Sequence, residues 1–366
     1  MTIYYSIIYF VGLLISIMYL LSIRSKIIRR NADRISPEDK IKCSVIIPAR
    51  NEQYNILKLI SKLESQTVMI DEIIVVNDNS TDRTAEVIEE LSNAHANLKA
   101  IQLVSEPPDG WLGKSWAIWN GVQASEGDIL IMFDADVEPE EYAVETLICN
   151  YRKHGGLLSV WPYQRFERIY EHIGLVSNLL IVFASNSFGG IGRGPSACFG
   201  PVVVTSRADY IKTGGHKRVR DAILDDMELA RLYLKNGIPV KNYLGGNMIK
   251  FRMYPNGISQ LFEGLSKNIS LGASTGSFFE FIIAFIWFAA IIASVQYLAD
   301  IFNIYRYFLY VIVIFILGRT VGHYKWYDAL FYPVHFILTL IIFIFSFYKG
   351  KFRKRVHWKG REISVK

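Results

Sequence analysis

Between residues 42 and 255 the chain alternates short apolar runs with stretches whose apolar positions recur every three or four residues. Residues 43–48 form an apolar run stopped by Pro48, which predicts a short buried strand. Leu57, Ile60 and Leu63 then follow at helical spacing. Residues 73–76 predict a second strand ending in Asn77-Asp78-Asn79-Ser80, and Thr81-Asp82-Arg83-Thr84 opens another helix with capping residues. Strand 100–104, helix 116–124 and strand 129–133 continue the cycle. This alternation predicts an α/β fold on a parallel, doubly wound sheet. Further strands are predicted at 156–160 and 197–204, an apolar helix at 173–188, and a helix at 224–233 that begins with Asp225 and Asp226.

The pattern changes at both ends. Residues 3–23 are almost uninterruptedly apolar, about the length of a spanning helix. Arg24, Lys26, Arg29, Arg30 and Arg34 follow, which predicts a cytoplasmic flank. In the last third, Ile258, Leu261, Phe262, Leu265 and Ile269 predict an amphipathic helix suited to a membrane surface. Apolar runs occupy 278–298, 304–317 and 329–348, the middle one short for a span. If all three cross, the basic tail (Lys349, Lys351, Arg353, Lys354, Arg355) falls outside, against the positive-inside rule, so one run is expected to be re-entrant or interfacial. His335, in the third run, is either a functional group or a residue bonded to a carbonyl. The expected organisation is a transmembrane helix (1–23), a basic linker (24–41), a cytosolic domain (42–255), an interface helix (256–276), membrane helices (277–348) and a basic cytosolic tail (349–366). The expected location is the cell membrane, multi-pass.

Composition sharpens this in three ways. At 51% hydrophobic residues and a mean hydropathy of +0.22, the 366-residue chain is apolar for a purely soluble enzyme, which predicts that part of it sits in lipid. Its net charge of +6 sits beside apolar segments, which reads as membrane topology rather than nucleic-acid binding. Cys43, Cys149 and Cys198 form no C-x-x-C pair, which argues against a disulfide framework or a zinc site.

The candidate chemistry lies at strand ends. The run 129–133 stops at Asp134-Ala135-Asp136, and residues two apart on an extended chain point the same way. Two carboxylates there repel each other and attract Mg²⁺ or Mn²⁺; the alternative is a solvated acidic turn. Pro48-Ala49-Arg50-Asn51-Glu52 and Asp78 end two other predicted strands and so converge on the same edge. Asp78 suits a base or ribose hydroxyl, and Arg50 a nucleotide charge or a carboxylate. No G-x-G-x-x-G or G-x-x-x-x-G-K-[ST] is present, so a nicotinamide enzyme or P-loop NTPase is poorly supported. Lys114, in Gly110-Trp-Leu-Gly-Lys-Ser115, can still reach a diphosphate or remain an exposed lysine. Gly214-Gly215 permits a close backbone approach to an acceptor, and His216 is either a sugar or phosphate donor or a structural histidine.

Taken in order, residues 45–52, 76–80, Gly113-Lys114-Ser115, Asp134-Ala-Asp136 and Asp225-Asp226-Met-Glu-Leu229 resemble the family 2 glycosyltransferases of GT-A (Rossmann-like) fold, over roughly residues 42–270. The resemblance implies a nucleotide-sugar donor bound by Pro48, Ala49, Arg50, Glu52, Asp78, Lys114 and Asp134. It implies Mg²⁺ or Mn²⁺ on Asp136, and Asp226 beside Asp225 as catalytic base of an inverting transfer. Asp225 stands where Glu is commoner. Processive synthases carry Q-x-x-R-W near residue 260, whereas here Glu263 and Gly264 follow Gln260, which argues against a polymer-making enzyme. The form Arg252-Met-Tyr…Glu-Gly-Leu-Ser-Lys267 and the Trp358-Lys-Gly-Arg361 tail are similar to single-transfer enzymes of carotenoid and hopanoid pathways. Those imply glucose moved from a UDP-sugar to an isoprenoid lipid acceptor at the cytoplasmic face, with Arg252, Lys267 and His216 as acceptor or diphosphate candidates. A polyprenyl-phosphate glycosyltransferase, and a non-catalytic scaffold or transporter, are the alternatives.

Overall fold

The computed structural model describes residues 2–24, 26–30, 41–184, 188, 195, 197–275, 278–296, 301–353, 355–358 and 361–364. Contacts divide the chain into an α/β unit (28–162 and 195–251) and a helical unit (1–27, 163–194 and 252–366).

Seven strands make the sheet of the α/β unit: β1 (Cys43–Ala49), β2 (Glu72–Asp78), β3 (Leu98–Leu103), β4 (Ile129–Phe133), β5 (Leu157–Trp161), β6 (Val202–Ser206) and β7 (Val240–Leu244). Their spatial order is β3-β2-β1-β4-β6-β5-β7. Side chains alternate between two apolar layers. Val45, Ile47, Ile73, Val75, Ile131 and Phe133 pack with the helices Gln53–Glu64 and Ala143–His154, while Ile46, Leu130 and Met132 pack with Ile118, Val122, Leu229 and Tyr233. The sheet is therefore wound on both faces, as predicted.

It is mixed rather than parallel, which corrects the expectation. β6 runs antiparallel to both of its neighbours, β4 and β5. Its first residue, Val202, pairs with Phe133 and Val160 at the ends of β4 and β5. The chain re-enters the sheet at the edge where those strands finish, so the next strand has to run back. The predicted strand 197–204 also starts later, because Gly200-Pro201 forms a turn ahead of it.

The opposite edge is closed by one carboxylate. Glu72, 6% exposed at the start of β2, accepts from Ser44 Oγ (2.5 Å), from the Gly127 N–H (3.2 Å) and from the Glu126 N–H, and pairs with Lys99 Nζ at 2.8 Å. Burial opposes its charge, but these donors prevail and hold its pKa down to about 2.

The helical unit contains Thr2–Arg24, Leu175–Ala184, Ile258–Thr275, Phe278–Val295, Ile301–Val321 and Tyr332–Arg353. Among the described residues, two segments, Ile3–Ile23 and Ile304–Val321, are long and apolar enough to cross a membrane. The second corrects the expectation of a short middle run, because the helix continues through Gly318, Arg319 and Thr320. Polar staples join the apolar helices: Trp287 Nε1 donates to Ser16 Oγ at 3.0 Å, and the Tyr9 hydroxyl to the Arg306 carbonyl at 3.0 Å. At Gly12 a Cβ would lie 2.1 Å from Ala290 Cβ, so only glycine allows this helix contact. His335 Nδ1 lies 3.2 Å from the Ile173 carbonyl, the second of its two predicted roles. On Ile258–Thr275, Leu261 and Leu265 are fully buried with Tyr254 and Ile342, so this part of the apolar face is covered within the unit. A Cβ at Gly264 would meet the Tyr254 ring at 2.4 Å, which explains why no tryptophan stands there. Arg355–Trp358 and Arg361–Ser364 pair as antiparallel strands, where the sequence predicted only a tail.

Candidate active site

At the carboxyl edge of β4 the chain turns through Asp134 and Asp136. The turn is fixed by two backbone bonds: the Asp134 N–H donates to the Pro201 carbonyl (2.9 Å), and the Val137 N–H to the Asp134 carbonyl (3.1 Å). Lys114, in the first turn of the helix Gly113–Ala124, places Nζ 2.6 Å from Asp134 Oδ1. Burial disfavours the ammonium, yet Asp134, Asp225 and Asp226 together hold its pKa well above the ordinary lysine range. One cation thus faces both acidic pairs. Asp136 has no comparable relief: burial and Asp134 push its carboxyl up to about 7 against the opposing pull of Lys114.

The second pair opens the helix Asp225–Lys235, where exposed N–H groups favour negative charge. The Gly200 N–H donates to Asp226 Oδ2 and the Met227 N–H to Asp226 Oδ1, both at 2.9 Å. Cys198 Sγ donates to the Asp226 carbonyl at 2.9 Å. A Cβ on Gly200 would sit 3.2 Å from Asp226 Oδ2 and 3.3 Å from Lys114 Nζ, so any side chain there would crowd both groups. Burial, then Asp225, push the Asp226 carboxyl up to about 6, inside the range useful to a proton acceptor near neutral pH.

The loops after β1 and β2 are laced together. Arg50 donates from Nη1 to the carbonyls of Asp78 (2.6 Å) and Asn79 (2.8 Å). The Asn51 N–H donates to Ser80 Oγ, the Thr81 N–H to Asn51 Oδ1, and the Glu52 N–H to Thr84 Oγ1. Asn51 and Asn79 take left-handed φ values of 54° and 48°, a conformation Asn tolerates better than most residues. Pro48 and Ala49 lie in register with Val76 and Asn77, beside Asp78, which is 2% exposed.

His216 is buried, with Nδ1 2.9 Å from the Tyr210 hydroxyl and Nε2 3.9 Å from Asp225 Oδ2. At Gly215 the close approach that glycine permits is to the Tyr210 ring, which a Cβ would meet at 2.2 Å. Arg252 belongs to the helical unit, paired with Glu171 Oε1 (2.5 Å) and Glu167 Oε2 (2.7 Å). Lys267 lies on Ile258–Thr275, and its side chain falls outside the described residues.

The sequence places Cys198 and Gly200 on a strand lining the site without marking their contacts to Asp226, and it does not mark Tyr210. A Gly-Pro pair inside an apolar run was the available signal for the first two; nothing local marks Tyr210. For a divalent cation the fit is good. Asp134 and Asp136 crowd two carboxylates, and Asp136 is the less neutralised. Among the described residues no group of three or more metal-binding side chains is gathered. Mg²⁺ needs no such group, since it takes one or two carboxylates and completes its shell with phosphate and water.

Comparison with known proteins bears on what this edge does. The sequence model described as glycosyl transferase family 2 matches residues 44–178. The chain is 32% identical over 339 residues to the 4,4'-diaponeurosporenoate glycosyltransferase of Staphylococcus haemolyticus (strain JCSC1435), covering 88% of each chain. It is 35% identical over 338 residues to the protein of that name from Staphylococcus aureus (strain USA300), again 88% of each. Among solved structures, the mannosyltransferase PcManGT from Pyrobaculum calidifontis, in complex with GDP-Man and Mn²⁺, shares the fold. Its TM-score is 0.58 at 14% identity, over 94% of this chain and 99% of that one.

Proposed function

The chain belongs to glycosyl transferase family 2, and from that premise we propose that it moves one sugar from a nucleotide-sugar to a carotenoid acid or similar isoprenoid lipid, with inversion. The gathering of Asp134, Asp136, Asp225 and Asp226 around Lys114 carries the proposal. Arg50, Glu52 and Asp78, with Pro48 and Ala49, form the nucleotide side. Asp134 and Lys114 serve the sugar-diphosphate, and Asp136 holds Mg²⁺ or Mn²⁺. When bound, that ion neutralises charge on the departing diphosphate. UDP-glucose is the first donor to test, and the names of the staphylococcal relatives support the carotenoid acceptor.

Transfer forms a bond from an acceptor oxygen to the anomeric carbon as the bond to the diphosphate oxygen breaks, the electron pair leaving with the nucleotide. A hydroxyl acceptor must also lose a proton, which Asp226 takes. A carboxylic acceptor, with pKa about 4.3, is already ionised at neutral pH. Asp226 is then less essential as a base. We place the α/β unit at the cytoplasmic face of a multi-pass membrane protein, a reading supported by the two long apolar helices and the basic flank after the first.

Mass spectrometry of lipid extracts from cells with and without the gene tests this reading. The expected result is a single hexose on an isoprenoid acid, lost in Asp136→Ala. A glycosylated polyprenyl phosphate would replace the acceptor, and absence of turnover or binding with every nucleotide-sugar would overturn the reading.

A further inference from the structure

We propose that His216 is a positioning residue for the acidic pair: its Nε2–H faces Asp225 and closes on it when substrates bind, leaving Asp226 as the carboxylate that faces the acceptor. The inference rests on the role given to Asp226 above.

The argument begins with a tautomer. Tyr210 is fully buried, and its hydroxyl oxygen accepts the His216 backbone N–H at 3.1 Å. The same hydroxyl lies 2.9 Å from His216 Nδ1, which gives its proton an acceptor there. Nδ1 therefore accepts, and in a neutral ring Nε2 carries the hydrogen. The ring is neutral because burial pulls its pKa down to about 4, with Lys114 acting in the same direction and Asp225 against it. Nε2 lies 3.9 Å from Asp225 Oδ2, beyond hydrogen-bond range. Such contacts often tighten only when substrates bind.

The ring's position is over-determined. Tyr210 holds it from the helix Arg207–Thr213, and the left-handed Gly214 (φ 82°) and Gly215 (φ 45°) bring His216 back over that tyrosine. Tyr210, Asp225 and Lys114 are the titratable groups that face it, with Lys217 and Arg218 next to it in the chain. A histidine needed only for packing would not require its remaining N–H beside the one carboxylate that neighbours Asp226. Asp225 is one methylene shorter than the Glu commoner at its position, so its carboxylate has less reach of its own.

Two measurements on the full-length protein in detergent test the proposal. In ¹⁵N-histidine spectra, the signal lost in His216→Gln is expected to be the Nε2–H tautomer and to shift in Asp225→Asn. An Nδ1–H tautomer, or no response to Asp225→Asn, overturns it. These spectra need no turnover, so they stand even if the transfer reading fails. In sugar transfer, His216→Phe is expected to lower kcat roughly tenfold to a hundredfold with donor KM unchanged, and His216→Gln, which keeps an N–H, to restore most of it. His216→Phe added to Asp225→Asn should cost nothing more; additive losses overturn the proposal. If His216→Phe does not fold, Tyr210→Phe, which frees the ring to change tautomer, should reproduce the kcat loss, and an unaffected kcat overturns it.

Discussion

The two edges of the sheet treat buried carboxylates in opposite ways. At the amino edge, Glu72 collects donors from Ser44, Glu126, Gly127 and Lys99, and its pKa falls to about 2. At the carboxyl edge, four aspartates share one lysine, and Asp136 and Asp226 rise to about 7 and about 6. The first arrangement satisfies its charge and stabilises the fold. The second leaves charge under-compensated, a cost to stability that a cation and a substrate would offset. Strain of this kind marks functional sites.

The comparison breaks first, if it is wrong, at Asp136. Asp136→Ala is expected to lower sugar transfer at least ~10³-fold, while its melting temperature stays equal or rises. Activity near wild type would remove this edge from the reaction. Glu72→Ala should do the reverse. It removes the acceptor of Ser44 Oγ and of the Glu126 N–H and should cost about 3 kcal/mol in denaturant unfolding, with kcat of the folded protein unchanged. Gly200→Ala should lower kcat by roughly tenfold, because its Cβ would press on Asp226 and Lys114 together. Donor binding, followed by titration calorimetry, should change less than kcat.

The smallest effect is a pair of opposed pH responses. Asp226 has a raised pKa, so its contribution to stability is greatest at low pH and is lost as pH rises from near its ordinary 3.8 through about 6. Asp226→Asn should therefore melt higher than wild type at pH 8 and like it near pH 3. Glu72 has a lowered pKa, so its stabilisation is present above its ordinary 4.5 and disappears as pH falls toward about 2. Glu72→Gln should melt lower at pH 8, the deficit shrinking in acid. Parallel curves for the two variants would erase the contrast between the edges.

Much of this was legible in residue order. Ile129–Phe133 matched its predicted strand because an apolar run bounded by turn residues has few alternatives. Asp134 and Asp136 could be placed at its end for the same reason. The reversed direction of β6 was not legible, since a strand's pattern carries no sign of the edge from which the chain arrives. Gly200 was hidden by the early start given to that strand: assigned to it, Gly200 could not be seen as a donor to Asp226. Glu72 was passed over because its partners Ser44 and Gly127 lie 28 and 55 residues away. His216 was singled out, but its burial depends on Tyr210, which helical spacing marks only as another core residue.

The way the helical unit is stitched from three chain segments sets a timetable. The bond from Trp287 to Ser16 joins residues 271 apart in sequence. A ribosome adding ~5–20 residues per second needs roughly 15–55 seconds to cover that interval. For that time the first helix exists without the partner that Gly12 was shaped to meet. The whole α/β unit, residues 28–162 and 195–251, is made within it. The sheet thus has the opportunity to fold first, and the helices to close last.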